Sequence, residues 1–112
     1  MSFARRHVRS SVDNMVKHMI IWKLRDSLED KVRRAEEIKV ALERLVGEVD
    51  GLLEMHILTD GLDSSSGDVM MDSLFESRDA LKAYSSHPKH LAVANGVVRP
   101  SVEVRLSFDY EI

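Results

Sequence analysis

The 112-residue chain contains no cysteine. That excludes a disulfide scaffold, a thiol nucleophile, an iron–sulfur cluster and a thiolate zinc site. It fits the reducing conditions of the cytoplasm, the expected location. Glycine is scarce, with five residues, and none belongs to a phosphate-cradling loop or a Gly-x-Ser-x-Gly elbow. No apolar run approaches the ~18 residues of a membrane span, so no membrane is expected as a partner. Positive charge is not in surplus either: 16 basic residues stand against 19 acidic ones, for a net charge of −3. A protein that lives on nucleic acid or anionic lipid carries a basic excess, so nucleic acid is not expected as a partner. What is present is 44% hydrophobic and 31% charged residues. This is the composition of a single globular domain able to fold without staples.

Residues 1–14 (MSFARRHVRSSVDN) hold three arginines against one aspartate and no apolar core segment of a signal peptide. They read as a flexible basic leader ahead of a domain spanning 15–112. From Met15 to Leu24 the chain is rich in β-branched and large apolar residues and reads as a strand. Val16, His18, Ile20, Trp22 and Leu24 share one face, and Met15, Lys17, Met19, Ile21 and Lys23 the other. Ser27 with Asp30 suggests a helix start. Leu28, Val32, Ala35, Ile38, Leu42 and Leu45 then form one apolar stripe, ending near Val46 with Gly47 as punctuation.

Leu52 to Leu58 alternates Leu53, Met55 and Ile57 against Leu52, Glu54, His56 and Leu58, a second strand. Gly61 to Gly67 is a hairpin connection. Asp68 to Phe75 is a third strand, with Val69, Met71, Ser73 and Phe75 on one face. Ser77 can cap the next helix. His87-Pro88 breaks it, and Pro88 can start a short helix to about Asn95, closed by Gly96. Val102 to Tyr110 is the last strand, with Val102, Val104, Leu106, Phe108 and Tyr110 alternating against Glu103, Arg105, Ser107 and Asp109.

The order β-α-β-β-α-β is the ferredoxin-like, split βαβ arrangement of an α+β domain: a four-stranded antiparallel sheet with its helices on one face. The other face is bare in a monomer, yet the first strand is apolar on both faces. A second copy of the sheet resolves the conflict, so the chain itself is the expected partner, as a homodimer with two sheets packed face to face.

Three segments carry a resemblance to a known family. MVKHMIIWKL at the start, LFESRDALKAYSSHPKH in the middle and RPSVEVRLSFDYE at the end resemble the stress-responsive A/B barrel (Dabb) domain. The resemblance covers residues 15 to 111. It implies a dimeric α/β barrel of ferredoxin-like protomers, and it implies little about activity, since most members have none assigned. Plant members include stress-induced and antimicrobial proteins. One plant branch contains a polyketide cyclase that needs no cofactor and uses a Tyr–His pair for acid/base work.

On that resemblance His90 matches the catalytic histidine, Tyr84 the tyrosine, and His18 a histidine that lines the cavity between helices and sheet. Where the cyclase branch has a further histidine on its third strand, this chain has Val69. The chemistry suits the residues. A histidine near its working pKa can take an acidic proton flanked by carbonyls, and a tyrosine hydroxyl can polarise the partner carbonyl. Ile20, Trp22, Val69 and Met71 are the expected apolar walls of the ligand site. No carboxylate stands at ligand spacing among His18, His87 and His90, so neither a metal nor another cofactor is expected. Three functions remain open: binding of a small hydrophobic or polyketide-like molecule, a cofactor-independent cyclase or lyase reaction, and a purely structural, stress-related role.

Overall fold

The structure, a computed structural model, describes residues 14–112. Of the expected leader, residues 1–13 lie outside the described part. Strand β1 (Val16–Leu24) runs antiparallel to β3 (Val69–Phe75) on one side and to β4 (Val102–Glu111) on the other. Strand β2 (Leu52–Leu58) pairs antiparallel with β3, which makes the sheet order β2-β3-β1-β4. Helices α1 (Lys31–Glu43), α2 (Arg78–Ser85) and α3 (Pro88–Val93) cover the inner face. The α+β, ferredoxin-like expectation is met.

The inner face of β1 is as the alternation requires: Val16, His18, Ile20, Trp22 and Leu24 are all buried. They pack with Met71 and Phe75 of β3 and with Ala35, Ile38 and Leu42 of α1 in one core. Each large apolar side chain fully buried there contributes roughly 1.5–3 kcal/mol.

Helix α1 starts later than the Ser27 signal suggests. Leu28 closes a turn back to Arg25, and Asp30 caps the helix by accepting from the Arg33 N–H at 3.0 Å. Val32 does not join the buried stripe; it is 83% exposed. At 3.6 residues per turn it lies about a quarter turn from the line set by Ala35, Ile38 and Leu42. The helix proper ends at Glu43, and the chain turns on through Gly47 at φ +89°.

Two further expectations need correction, both through β-bulges. In β2, Leu52 faces Phe75 while Glu54 faces Leu74, so Leu53 is an extra residue. The parity inverts there: Leu52 points inward with Met55 and Ile57, and Leu53 is exposed. In β4, Val102 faces Leu24 while Val104 faces Lys23, so Glu103 is extra. Val102 packs against the core and Val104 joins the outer face. The alternation read straight through Val102 holds only from Val104 onward.

Gly96 does not end the third helix. The chain continues as a wide turn over Ala94–Val98 and a tight one over Arg99–Ser101, because Ala94 and Val98 are buried beneath it. Ser101 fixes the exit, accepting from Arg34 at 2.6 Å and donating to the Val97 carbonyl at 2.6 Å. The edge strand β2 is shielded by α1: Glu43 accepts from the Ile57 N–H at 3.0 Å, and Lys39 donates to the Ile57 carbonyl at 3.0 Å.

Candidate functional site

A cavity of about 680 Å³ lies between the helices and the sheet, a volume suited to one small organic molecule. Its floor is His18, Ile20 and Trp22 from β1 with Met71 from β3. Leu81 and Tyr84 of α2 and His90 of α3 form one wall, continued by Ala94 and Val98. Leu42, Ser85 and Val102 and the charged residues Arg78, Lys82, Arg99, Arg105 and Asp109 complete the lining. Six of the seven site residues expected from the sequence therefore meet in one cavity. Val69 does not: opposite Trp22 at the start of β3, it is enclosed in the core and outside the lining.

Local structure explains how the two principal residues meet. Ser77 caps α2, accepting from the Ala80 N–H at 3.1 Å, and Tyr84 sits in the last turn of that helix. Pro88 opens α3, and the His87 ring caps it, its Nδ1 accepting from the Lys89 N–H at 3.1 Å. That contact occupies the Nδ1 lone pair of His87. It also sets the direction of the short helix, which brings His90 against Tyr84 with ring centres 4.1 Å apart. Phe75, fully buried, links this pair to the sheet: its ring lies 4.9 Å from Tyr84 and 6.1 Å from His18.

The electrostatics favour neutral rings. Burial holds His90 below the ordinary histidine pKa; the Ser85 carbonyl opposes this, and the Arg99 guanidinium adds to it. His90 Nδ1 is buried and has no hydrogen-bond partner among the described residues. Burial pushes the Tyr84 phenol up, so it stays protonated and able to donate across the physiological range. The cavity thus has a histidine ring held towards its neutral form beside a permanent hydroxyl donor.

Among the lining residues that were not singled out from the sequence are two charged ones on β4. Asp109 on β4 pairs with the β1 histidine, with His18 Nδ1 2.5 Å from Asp109 Oδ1. Arg105, on the same face of β4, lies opposite Trp22. The signal was the period-2 pattern of β4, which puts Arg105, Ser107 and Asp109 on one face. Which face of β1 they meet depends on the register between the two strands.

The family model described as Stress responsive A/B Barrel Domain matches residues 16–112. Among solved structures, a dimeric protein of unknown function with a ferredoxin-like fold from Bacteroides fragilis is 26% identical. The match covers 88% of this chain and 96% of that one, with a TM-score of 0.79. A hydroxynitrile lyase from Passiflora edulis is 17% identical over 89% of this chain and 94% of its own, with a TM-score of 0.75. SnoaB, a cofactor-independent oxygenase from Streptomyces nogalater, is 10% identical over 87% of this chain and 91% of its own, with a TM-score of 0.69. At those identities the last two show the shared fold alone. No curated protein matches in sequence.

Proposed function

The chain belongs to the stress responsive A/B barrel domain family, and on that footing we propose that it is a homodimer whose helix–sheet cavity binds a small hydrophobic or polyketide-like molecule. The observation that carries this reading is the cavity itself: about 680 Å³, floored by Ile20, Trp22 and Met71, with His18, Tyr84 and His90 converging on it. A purely structural protein has no need to keep such a space beside its core, since unfilled volume costs stability. The outer sheet face supports the dimer. Leu106 and Phe108 there are 66% and 69% exposed, next to Ile21 and Tyr110. The Bacteroides fragilis relative is dimeric. The absence of cysteine supports a cytoplasmic location, and no helix among the described residues is long and apolar enough to cross a membrane.

Trp22, the one tryptophan of the chain, lines the cavity and reports on it. Titration with 1-naphthol should change its fluorescence saturably. Ala94→Phe, which projects a ring into the same space, should abolish the change while the fold is kept. An unchanged signal in the wild-type protein would refute the binding reading.

One observation favours a second reading, a cofactor-independent cyclase or lyase. His90 and Tyr84 both line the cavity, with ring centres 4.1 Å apart. A neutral imidazole so placed takes the proton from a carbon between two carbonyls, and the Tyr84 hydroxyl donates to the enolate oxygen that forms. His90→Ala should then reduce turnover of a condensing polyketide-like substrate by ~100- to 10,000-fold, and Tyr84→Phe by less.

A further inference from the structure

We infer, building on the cavity reading above, that the molecule this cavity takes carries a carboxylate, held at the mouth by Arg105 and the Tyr84 hydroxyl. The first observation is a charge imbalance. The chain carries a net −3, yet three arginines and a lysine line the cavity against a single carboxylate, Asp109. That carboxylate is committed to His18. Of the four cations, Arg78 is paired with Glu111 at 2.7 Å, and Arg99 reaches the side-chain oxygen of Asn95. Lys82 and Arg105 have no ion-pair partner among the described residues.

The second observation is where Arg105 stands. It occupies an inward register position of β4, opposite Trp22. The corresponding positions of β1 and β3 are filled by core residues. Beyond Val102 the inner face of β4 is Arg105, Ser107 and Asp109, polar throughout and beside an apolar floor. All three are exposed to solvent, and two of them, Arg105 and Asp109, line the cavity, so the polar side chains that β4 brings to it are a guanidinium free of ion pairs among the described residues and a carboxylate held by His18. Arg105 lines the same cavity as Tyr84 and His90.

The third observation selects the recognising groups. At the N-termini of α2 and α3 the cap side chains of Ser77 and His87 each take one backbone N–H, those of Ala80 and Lys89, whereas Arg105 has no such partner among the described residues. The planar fork of a guanidinium matches the two oxygens of a carboxylate, and a permanently protonated phenol supplies a further donor. The apolar floor takes the rest of the molecule.

Calorimetric titration with decanoate and with decanol, which share a chain length, tests this at neutral pH. Decanoate should bind about tenfold more tightly, although decanol is the more hydrophobic of the two. The difference should shrink in roughly 0.5 M salt, where exposed charges are screened. Arg105→Gln should abolish the preference, and Arg105→Lys, which keeps the charge, should retain part of it; circular dichroism checks that both variants fold. Decanol binding as tightly as decanoate would overturn the inference and leave the cavity reading standing. An unchanged preference in Arg105→Gln would overturn the role of Arg105. Binding of neither probe would overturn the inference together with the reading it rests on.

Discussion

His18 on β1 and Asp109 on β4 face each other across the strand pair, and the histidine Nδ1 lies 2.5 Å from the carboxylate Oδ1. An ionised carboxylate only accepts hydrogen bonds, so Nδ1 carries a proton; in the neutral ring Nε2 then keeps its lone pair. The pair thereby selects one tautomer of a buried histidine that lines the cavity. Nitrogen-15 NMR of the neutral ring should show the Nδ1–H form for His18. Asp109→Ala should release it toward the Nε2–H form. A wild-type His18 protonated on Nε2 alone would contradict this arrangement.

The outer face of the sheet places Ile21 opposite Leu106 and Met19 opposite Phe108. If a second copy covers this face, a charge introduced at its centre must be desolvated on association. Ile21→Asp should weaken the dimer by about 2–4 kcal/mol, giving monomers or aggregates in sedimentation experiments. A wild-type protein that sediments as a monomer at micromolar concentration would refute the dimer.

Burial lowers the pKa of His90 in the folded state from the ordinary 6.5. As the pH falls, the unfolded chain therefore takes up this proton first. The stability that depends on a neutral His90 is fully present above the unfolded value and is lost as the pH falls toward the folded one. Thermal melts between about pH 7.5 and pH 5 should show a shallower loss for His90→Gln than for the wild type. Equal slopes would mean that the imidazole is not held neutral.

The position of the helix α1 cap can be checked by two substitutions. Asp30→Ala removes the acceptor for the Arg33 N–H and should cost about 1 kcal/mol in urea unfolding. Ser27→Ala, at an exposed position outside the helix, should change stability by less than about 0.5 kcal/mol.

The element order, the inward faces of β1 and β3 and the cap of α2 were all legible in the sequence. Each rests on a local regularity: a period of two, a period near 3.6, or a serine ahead of a helical turn. The break at His87-Pro88 was legible for the same reason, since proline acts on its own backbone and that of its neighbours. Because that break sets the direction of α3, the meeting of Tyr84 with His90 was within reach of local reasoning once the family resemblance had drawn notice to the pair.

Elsewhere the tertiary structure decided. The bulges at Leu53 and Glu103 arise from pairing with a partner strand, and a strand read alone does not reveal where one residue will oppose two. Gly96 failed as a helix end because Ala94 and Val98 on either side of it are held in the interior, and packing outweighs a propensity of about 1 kcal/mol. Asp109 and Arg105 came to line the cavity only through the register of β4 against β1, since a one-residue slip would have turned both to the outer face. The sequence by itself determined which residues alternate and where the chain turns, because those are properties of neighbours along the chain. What faces what across the cavity was decided by strand register and helix packing, which bring together residues as far apart as His18 and Asp109.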